Sequence, residues 1–141
     1  MGGMVAHTGQ AGLEYMIMTG ILLTFLAATV VYIQSQSADT IRINQAQDAV
    51  REIAATADRT AALGPGTKTF VIVTMPEEIA SSYIASHEIN IRLTLANGQT
   101  DIFEVTNANV TGTLPLQSGL QKVQIEALSS GTVNITGNIT V

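Results

Sequence analysis

Residues 15–33 read YMIMTGILLTFLAATVVYI and contain no charged side chain. As an α-helix this segment is about 28 Å long, which matches the hydrocarbon thickness of a bilayer. Tyr15 and Tyr32 lie near its two ends, and tyrosine is enriched at membrane interfaces. Threonines inside the segment can return their hydroxyls to the helix backbone. The segment therefore predicts a membrane-spanning helix.

Two alternatives compete with a spanning helix. One is a buried helix of a globular core, but a core helix of this length with no charge on any face is rare. The other is a secretory signal peptide, which needs a basic N-terminal part and a shorter apolar part. No Lys or Arg precedes the segment.

The helical pattern continues after the apolar segment, because residues 34–63 contain no Gly or Pro and favour or tolerate helix. A helix over residues 11–63 would be on the order of 80 Å long, more than one small domain can bury. Its N-terminal half must therefore lie in a membrane or against other subunits. Residues 64–66, Gly-Pro-Gly, are expected to end the helix. Apolar residues at helical spacing predict a buried stripe, with the charged residues largely off it: Ile43, Ala46, Val50, Ile53, Ala54, Ala57 and Ala61.

From residue 67 the apolar period changes to two, which predicts β-strands. Residues 67–75 are apolar on both faces in their middle, as in a central strand. A small antiparallel β domain over residues 67–141 is expected to pack as one sheet on the stripe of the helix over residues 10–63. The expected fold class is therefore α+β.

The turn signal Asn97-Gly98 predicts a hairpin whose register is open. A two-residue loop at that dipeptide would pair Arg92 with Phe103. A three-residue loop over residues 96–98, bulged at its glycine, would pair Ile91 with Phe103. We favour the bulged register.

In the last strand we expect one apolar face and one face of Asn and Thr residues. The apolar face consists of Val133, Ile135, Ile139 and Val141.

Composition excludes several classes of function. The chain has 141 residues, no cysteine and a net charge of -5, so a disulfide framework, a thiolate metal site and a thiol nucleophile are absent. The acidic balance argues against nucleic acid as a primary ligand. No catalytic motif has a plausible context, and we expect no enzyme, no cofactor and no metal site. Glu77-Glu78 is expected at a helix start or a solvated turn, and His87 as a surface pair with Glu88.

The residues just before the apolar segment carry a family resemblance. Residues 9–16 read GQAGLEYM, and this string with its apolar continuation resembles the class III signal peptide of archaeal type IV pilins. In that family a short leader is cut between Gly and Gln, and the fifth mature residue is Glu. The resemblance implies a leader over residues 1–9, cleavage between Gly9 and Gln10, and Glu14 as the fifth residue. The chain departs from the family at Thr8, where Lys or Arg is usual, and at Gly12, where Ser is common.

The resemblance implies a structural subunit that polymerises into an extracellular pilus for adhesion or surface contact. Its partners would be further copies of itself in a helical homopolymer, an archaeal prepilin peptidase, and a pilus assembly ATPase with its membrane platform. The chain would lie in the cytoplasmic membrane before assembly. In assembly, Glu14 would pair with the new amino terminus of Gln10 on a neighbour. The membrane and filament core would comprise Tyr15, Ile17, Ile21, Leu22, Phe25, Leu26, Val30 and Ile33.

Two readings stay open beside this one. Glu14 also fits an interfacial residue at the head of a membrane helix, where an acid favours the helix dipole. The whole chain also fits a monomeric membrane-anchored binding domain on the cell surface with a helical stalk, which needs no leader cleavage.

Three Asn-x-Thr sequons begin at Asn109, Asn134 and Asn138. If the domain lies outside the cell, an oligosaccharyltransferase is a further partner and these residues are candidate glycosylation sites. The alternative is a strand face rich in Asn and Thr that contains sequons by chance.

Overall fold

The structure is a computed structural model that describes residues 6–129 and 131–137, with side chains from residue 11 onward. Within those residues one helix is followed by seven strands. The elements are α1 (Ala6–Leu63), β1 (Lys68–Met75), β2 (Ile79–Ala85), β3 (Glu88–Leu95), β4 (Gly98–Val105), β5 (Asn109–Thr113), β6 (Gly119–Ser129) and β7 (Thr132–Thr136). The chain divides into two units, Met1–Ala38 and Asp39–Val141. The predicted α+β fold is confirmed.

In the first unit every side chain over residues 11–38 is exposed. The hydroxyls of Thr19, Thr24 and Thr29 each donate to the carbonyl oxygen four residues earlier, at 2.8 to 2.9 Å. The predicted return of threonine hydroxyls to the backbone is confirmed, so these polar groups need no outside partner. By length and composition, α1 is the one described helix that could cross a membrane.

In the second unit the predicted stripe of α1 is buried. Ala46, Val50, Ile53, Ala54 and Ala57 are in the core, and Ile43 and Ala61 pack partly buried against them. The helix ends at Leu63, and Gly64 follows it with φ +99°, a conformation that favours glycine. The predicted stripe and helix end are therefore confirmed.

The stripe also contains two buried polar residues that the apolar pattern does not show. The hydroxyls of Thr56 and Thr60 donate to carbonyl oxygens one turn earlier at 2.8 Å. The hydroxyl oxygens of Thr60 and of Thr69 in β1 also lie 3.0 Å apart, within hydrogen-bond distance. Both hydroxyls thus have the partners that burial requires.

The strands form two sheets where one was expected. One sheet has the order β1-β6-β7-β5, and the other has the order β2-β3-β4. Strands β5 and β7 pair in parallel, and the other pairings are antiparallel. Buried residues of both sheets form a single core with the α1 stripe. A backbone hydrogen bond from the Val110 N–H of β5 to the Ser86 carbonyl, in the turn between β2 and β3, joins the two sheets.

The prediction that residues 67–75 form a central strand is wrong, because β1 lies at the edge of its sheet. Val71 and Val73 point into the core, whereas Phe70 and Ile72 are exposed on the outer face. The pattern is apolar on both faces, but only one face is covered within the described chain.

Both predicted registers of the β3–β4 hairpin are wrong. The structure pairs Leu95 with Gly98, so that the loop is Ala96-Asn97 and Asn90 faces Phe103. Gly98 begins β4 with φ +130°, which favours glycine. Ile102 is thereby buried in the core, and Phe103 lies on the outer face.

A carboxylate of α1 holds this turn in place. Asp39 Oδ2 accepts the backbone N–H of Ala96 at 3.1 Å. Arg42 Nη1 lies 3.4 Å from Asp39 Oδ1, and Arg42 Nη2 lies 3.7 Å from Glu77 Oε2. Glu77 follows β1 in the chain. The helix therefore fixes two turns of the β strands from one end of the second unit.

Asp58 holds a third turn, between β4 and β5. Its Oδ1 accepts the backbone N–H groups of Asn107 and Ala108, each at 2.9 Å. Its Oδ2 accepts the Asn107 side-chain amide at 3.0 Å. Asp58 therefore ties this turn to α1 with three hydrogen bonds to one carboxylate.

Candidate functional site

The apolar segment, residues 15–33 of α1, is a candidate site whose large apolar side chains are all exposed. Its predicted core residues are exposed by 44% at Val30 up to 76% at Tyr15. Leaving one large apolar side chain in water rather than burying it costs about 1.5–3 kcal/mol. The segment therefore requires an apolar environment that the described part of the chain does not supply. The other exposed members are Ile17, Ile21, Leu22, Phe25, Leu26 and Ile33.

Glu14 is the acidic residue beside the apolar segment, and its side chain is exposed. It forms no ion pair with the side chains that the structure describes. Because α1 begins at Ala6, Glu14 lies more than two turns inside the helix, beyond the first turn where the helix dipole acts. Gly9 and Gln10 belong to the same helix, and cleavage between them stays a prediction.

The sequons lie on strands β5 and β7 where they are described. Asn109 is exposed at the first residue of β5. Asn134 points outward between the buried residues Val133 and Ile135, and its Nδ2 donates to Thr136 Oγ1 at 3.3 Å. The predicted outward orientation of Asn134 is confirmed. Asn138, with Ile139 and Val141, lies outside the described residues.

Titratable residues of the second unit form structural contacts. Glu77 and Glu78 lie in a turn, as one of the two expectations stated, and Glu78 has a φ of +62°. His87 Nδ1 lies 3.1 Å from the Ala108 carbonyl, while Glu88 accepts the Tyr83 hydroxyl at 3.4 Å. The expected His87–Glu88 pair does not form in the structure.

Two grooves flank α1 in the second unit. The larger, of about 380 Å³, lies beside β1 and is lined in part by Asp48, Glu52 and Ile72. The smaller, of about 220 Å³, lies beside β4. Over residues 11–129 and 131–137, no three His, Asp or Glu side chains converge as a metal site would require.

The outer face of the β2-β3-β4 sheet carries a paired charge. Arg92 donates to both carboxylate oxygens of Asp101, at 2.6 and 2.8 Å. This contact lowers the pKa of Asp101 and raises the pKa of Arg92. Partial burial, and then the neighbouring Glu88 carboxylate, raise the pKa of Tyr83, so its hydroxyl stays a donor.

Sequence patterns missed one group of residues with a functional bearing, the aromatic residues of the second unit. Phe70, Tyr83 and Phe103 are exposed by 51%, 47% and 59%. The alternation of β3, with Ile89 and Ile91 on its core side, places Tyr83 and Phe103 on the outer face only once the strand pairing is known.

Comparison with known proteins gives no relative on which to rest a function. No family model, no curated protein and no solved structure matches this chain.

Proposed function

We propose that the chain is a pilin precursor, a structural subunit that polymerises through its apolar segment into an extracellular filament of the archaeal type IV pilus kind. The observation behind the proposal is that residues 11–38 are all exposed, on the same helix whose second half packs in the core of the second unit. The resemblance of residues 9–16 to the pilin processing signal supports it. The filament would serve adhesion or surface contact.

The same apolar segment suits both a membrane and a filament. Lipid tails and a bundle of helices are similarly apolar, so moving the segment from one to the other is nearly balanced in free energy apart from packing and polar pairing. The threonine hydroxyls already bonded within α1 add no desolvation cost to this transfer. An ATP-driven assembly machine on a membrane platform would then move the subunit without exposing the segment to water.

Glu14 would control which subunits enter the filament. An unpaired carboxylate among apolar helices loses solvation worth several kcal/mol, and a contacting cation recovers much of that. Cleavage by a prepilin peptidase would create such a cation at the amino terminus of Gln10. An uncut subunit would bring an uncompensated charge into the bundle and be rejected.

The test is Glu14→Gln in the full chain, with Glu52→Gln as the control. Glu52 is also exposed on α1 but lies in the second unit. We expect Glu14→Gln to be inserted and to have its leader removed, as measured by an intact mass that begins at Gln10. Filament yield should fall by about tenfold or more, because the pairing worth several kcal/mol is lost. Glu14→Asp, whose side chain is shorter, should give a filament yield between those of the wild type and Glu14→Gln.

Wild-type filament yield from Glu14→Gln would contradict the pairing. Glu14 would then be an interfacial residue at the membrane surface. A mature protein that begins at Met1 would contradict the processing step itself. Isoelectric focusing cannot replace the mass measurement, since residues 1–9 contain no Lys, Arg, Asp or Glu.

A monomeric cell-surface binding domain is the second candidate, and the exposed aromatic residues of the β sheets favour it. In that case the helix is a permanent anchor and stalk. Electron microscopy of material sheared from producing cells separates the two candidates. Filaments containing the chain support the pilin, and full retention in the membrane fraction supports the monomer.

Glycans on an extracellular subunit are a further part of the proposal. Asn109 is the most accessible described acceptor, whereas the Asn134 amide is partly covered and bonded to its own sequon threonine. We therefore expect a mass increase on the tryptic segment over residues 93–122. If the tryptic segments that contain the three sequon asparagines all have unmodified masses, the proposed glycosylation is contradicted.

A further inference from the structure

The second unit places all its aromatic residues outside its core. The core consists of aliphatic side chains and Met75, with no phenylalanine or tyrosine among its described members. Phe70, Tyr83 and Phe103 instead lie on the outer faces of the two sheets. Aromatic residues provide much of the contact energy at protein interfaces and are enriched there. Their position outside the core indicates surfaces that contact a partner.

The first surface, called the β1–β6 patch, consists of Phe70, Ile72, Leu120 and Lys122. Ile72 pairs across the strands with Lys122, and all four residues share the outer face of their sheet. Ile72 and Leu120 are exposed by 68% and 75%. Lys122 Nζ lies 4.6 Å from the centre of the Phe70 ring and is in no described ion pair. The patch is therefore apolar with one uncompensated positive charge.

The second surface, called the β2–β4 patch, consists of Tyr83, Glu88, Phe103 and Val105. Tyr83 and Phe103 flank Asn90, and Glu88 pairs across the strands with Val105. The neighbouring Arg92–Asp101 pair is neutral in sum. Glu88 is in no described ion pair, so this patch is apolar with one uncompensated negative charge.

A buried amide lies beneath the second patch. Asn90 is 2% exposed although it lies on the outer side of β3, because the neighbouring side chains cover it. Its Oδ1 is buried with no hydrogen-bond partner in the structure. An unpaired buried acceptor is costly.

We propose that the β1–β6 patch of one copy docks on the β2–β4 patch of the next copy, with Lys122 contacting Glu88. The proposal rests on the proposed filament and adds a second contact to the one through the apolar segment. Contact between the same patch on two copies would bring two like charges together. Contact between the two different patches is therefore favoured. Both outer faces point away from the shared core. Because the contact joins two different faces, the copy at each end of the assembly keeps one free patch. Further copies can bind to that free patch.

Disulfide crosslinking in sheared filaments tests the proposal with the full chain. The chain has no cysteine, so every crosslink reports an introduced thiol. Leu120→Cys and Val105→Cys place one thiol in each patch at well exposed positions. After mild oxidation, the double variant should give a ladder of linked copies well beyond dimers on a non-reducing gel. Each single variant should remain monomeric.

Three outcomes would overturn the proposal, and they are distinguishable. Normal filaments in which the double variant stays monomeric would mean that the two patches do not meet. Dimers from either single variant would mean that a patch meets its own copy. If the unmodified chain forms no filament at all, the proposed function fails, and this contact fails with it.

Charge reversal provides a second test that does not depend on cysteine placement. Lys122→Glu or Glu88→Lys alone should increase the subunits released from warmed filaments by about fivefold, as expected for one exposed pair made repulsive. The double reversal should restore the wild-type release. Glu104→Lys is the control, because Glu104 lines the groove beside α1 on the opposite side of the sheet. Failure of the double reversal to restore release would overturn the Lys122–Glu88 contact.

Discussion

The two halves of α1 have the same secondary structure but opposite surroundings. Residues 11–38 are exposed on every side, whereas residues 39–63 bury one stripe in the core of the second unit. Within the first half, residues 15–33 contain no charged side chain on any side of the helix. In the second half, charged residues such as Asp48 and Arg51 leave one apolar side. Helix formation is therefore common to both halves, and the distribution of charge decides what each half packs against.

The largest expected difference between the halves is the response to truncation of an isoleucine. Ile53→Ala removes a fully buried side chain and should lower the free energy of unfolding of the second unit by about 2–5 kcal/mol. Ile21→Ala, at a position exposed by 57%, should leave it within about 0.5 kcal/mol. Denaturant unfolding in detergent, followed by circular dichroism of the β strands, measures both. Equal effects would show that the first half also packs on the second unit.

The next largest difference concerns an introduced charge. Leu22→Arg places a cation in the middle of the apolar segment, which should cost about 2.5–3.5 kcal/mol of insertion free energy. Asn44→Arg, on the exposed side of the second half, should have no measurable effect on insertion. The share of protein in the membrane fraction reports the difference. Unchanged insertion of Leu22→Arg would contradict a membrane stage for the segment.

A smaller effect is expected from Asp58, which holds the turn between β4 and β5. Asp58→Ala removes three hydrogen bonds to the turn at Asn107 and Ala108, and should destabilise the second unit by about 1–3 kcal/mol. Asp48→Ala is the matched control, since Asp48 is an exposed carboxylate on the same half of the helix. Thermal unfolding of both variants measures the difference. Equal midpoints would show that the turn is held without Asp58.

The smallest effect is a dependence on acid that should be confined to the second unit. The Arg92 contact lowers the pKa of Asp101, so its stabilisation is fully present above the ordinary pKa of aspartate and is lost as pH falls through the lowered value. Below about pH 4 the second unit should lose part of its stability. Asp101→Asn should remove that part of the pH dependence. An unchanged acid profile in Asp101→Asn would assign the loss to other carboxylates.

Sequence alone predicted the helical half of the fold well, because α1 is built from local signals. The uncharged residues 15–33, the three-and-four spacing of the stripe and the glycine at Gly64 are each visible within a few positions of the chain. Local signals also predicted the α+β class, since the apolar period changes from helical to two at residue 67.

The β strands were predicted less well, because long-range contacts fix their arrangement. Asn97-Gly98 is a strong turn signal, but Asp39 binds the Ala96 N–H, and Ile102 enters the core instead of Phe103. This one-residue difference turns Phe103 from the core side to the outer face. The edge position of β1 depends likewise on which strands lie beside it, which periodicity does not encode.

The candidate site divides in the same way. The absence of charge over residues 15–33 is visible in the sequence, and it predicts that this segment lies in a membrane or against other subunits. The outer patches depend on strand register, so Phe70, Tyr83 and Phe103 could not be assigned to surfaces before the pairing of the strands was known.

Electron cryomicroscopy of filaments sheared from cells that produce the chain tests whether the chain is a filament subunit. We expect filaments in which residues 15–33 of many copies form a helical bundle along the axis, with the β sheets outside it. The side chains of Leu22 and Phe25 should contact neighbouring helices there rather than lipid or water. A surface with no filaments, with the chain wholly retained as monomers in the membrane, would contradict the account.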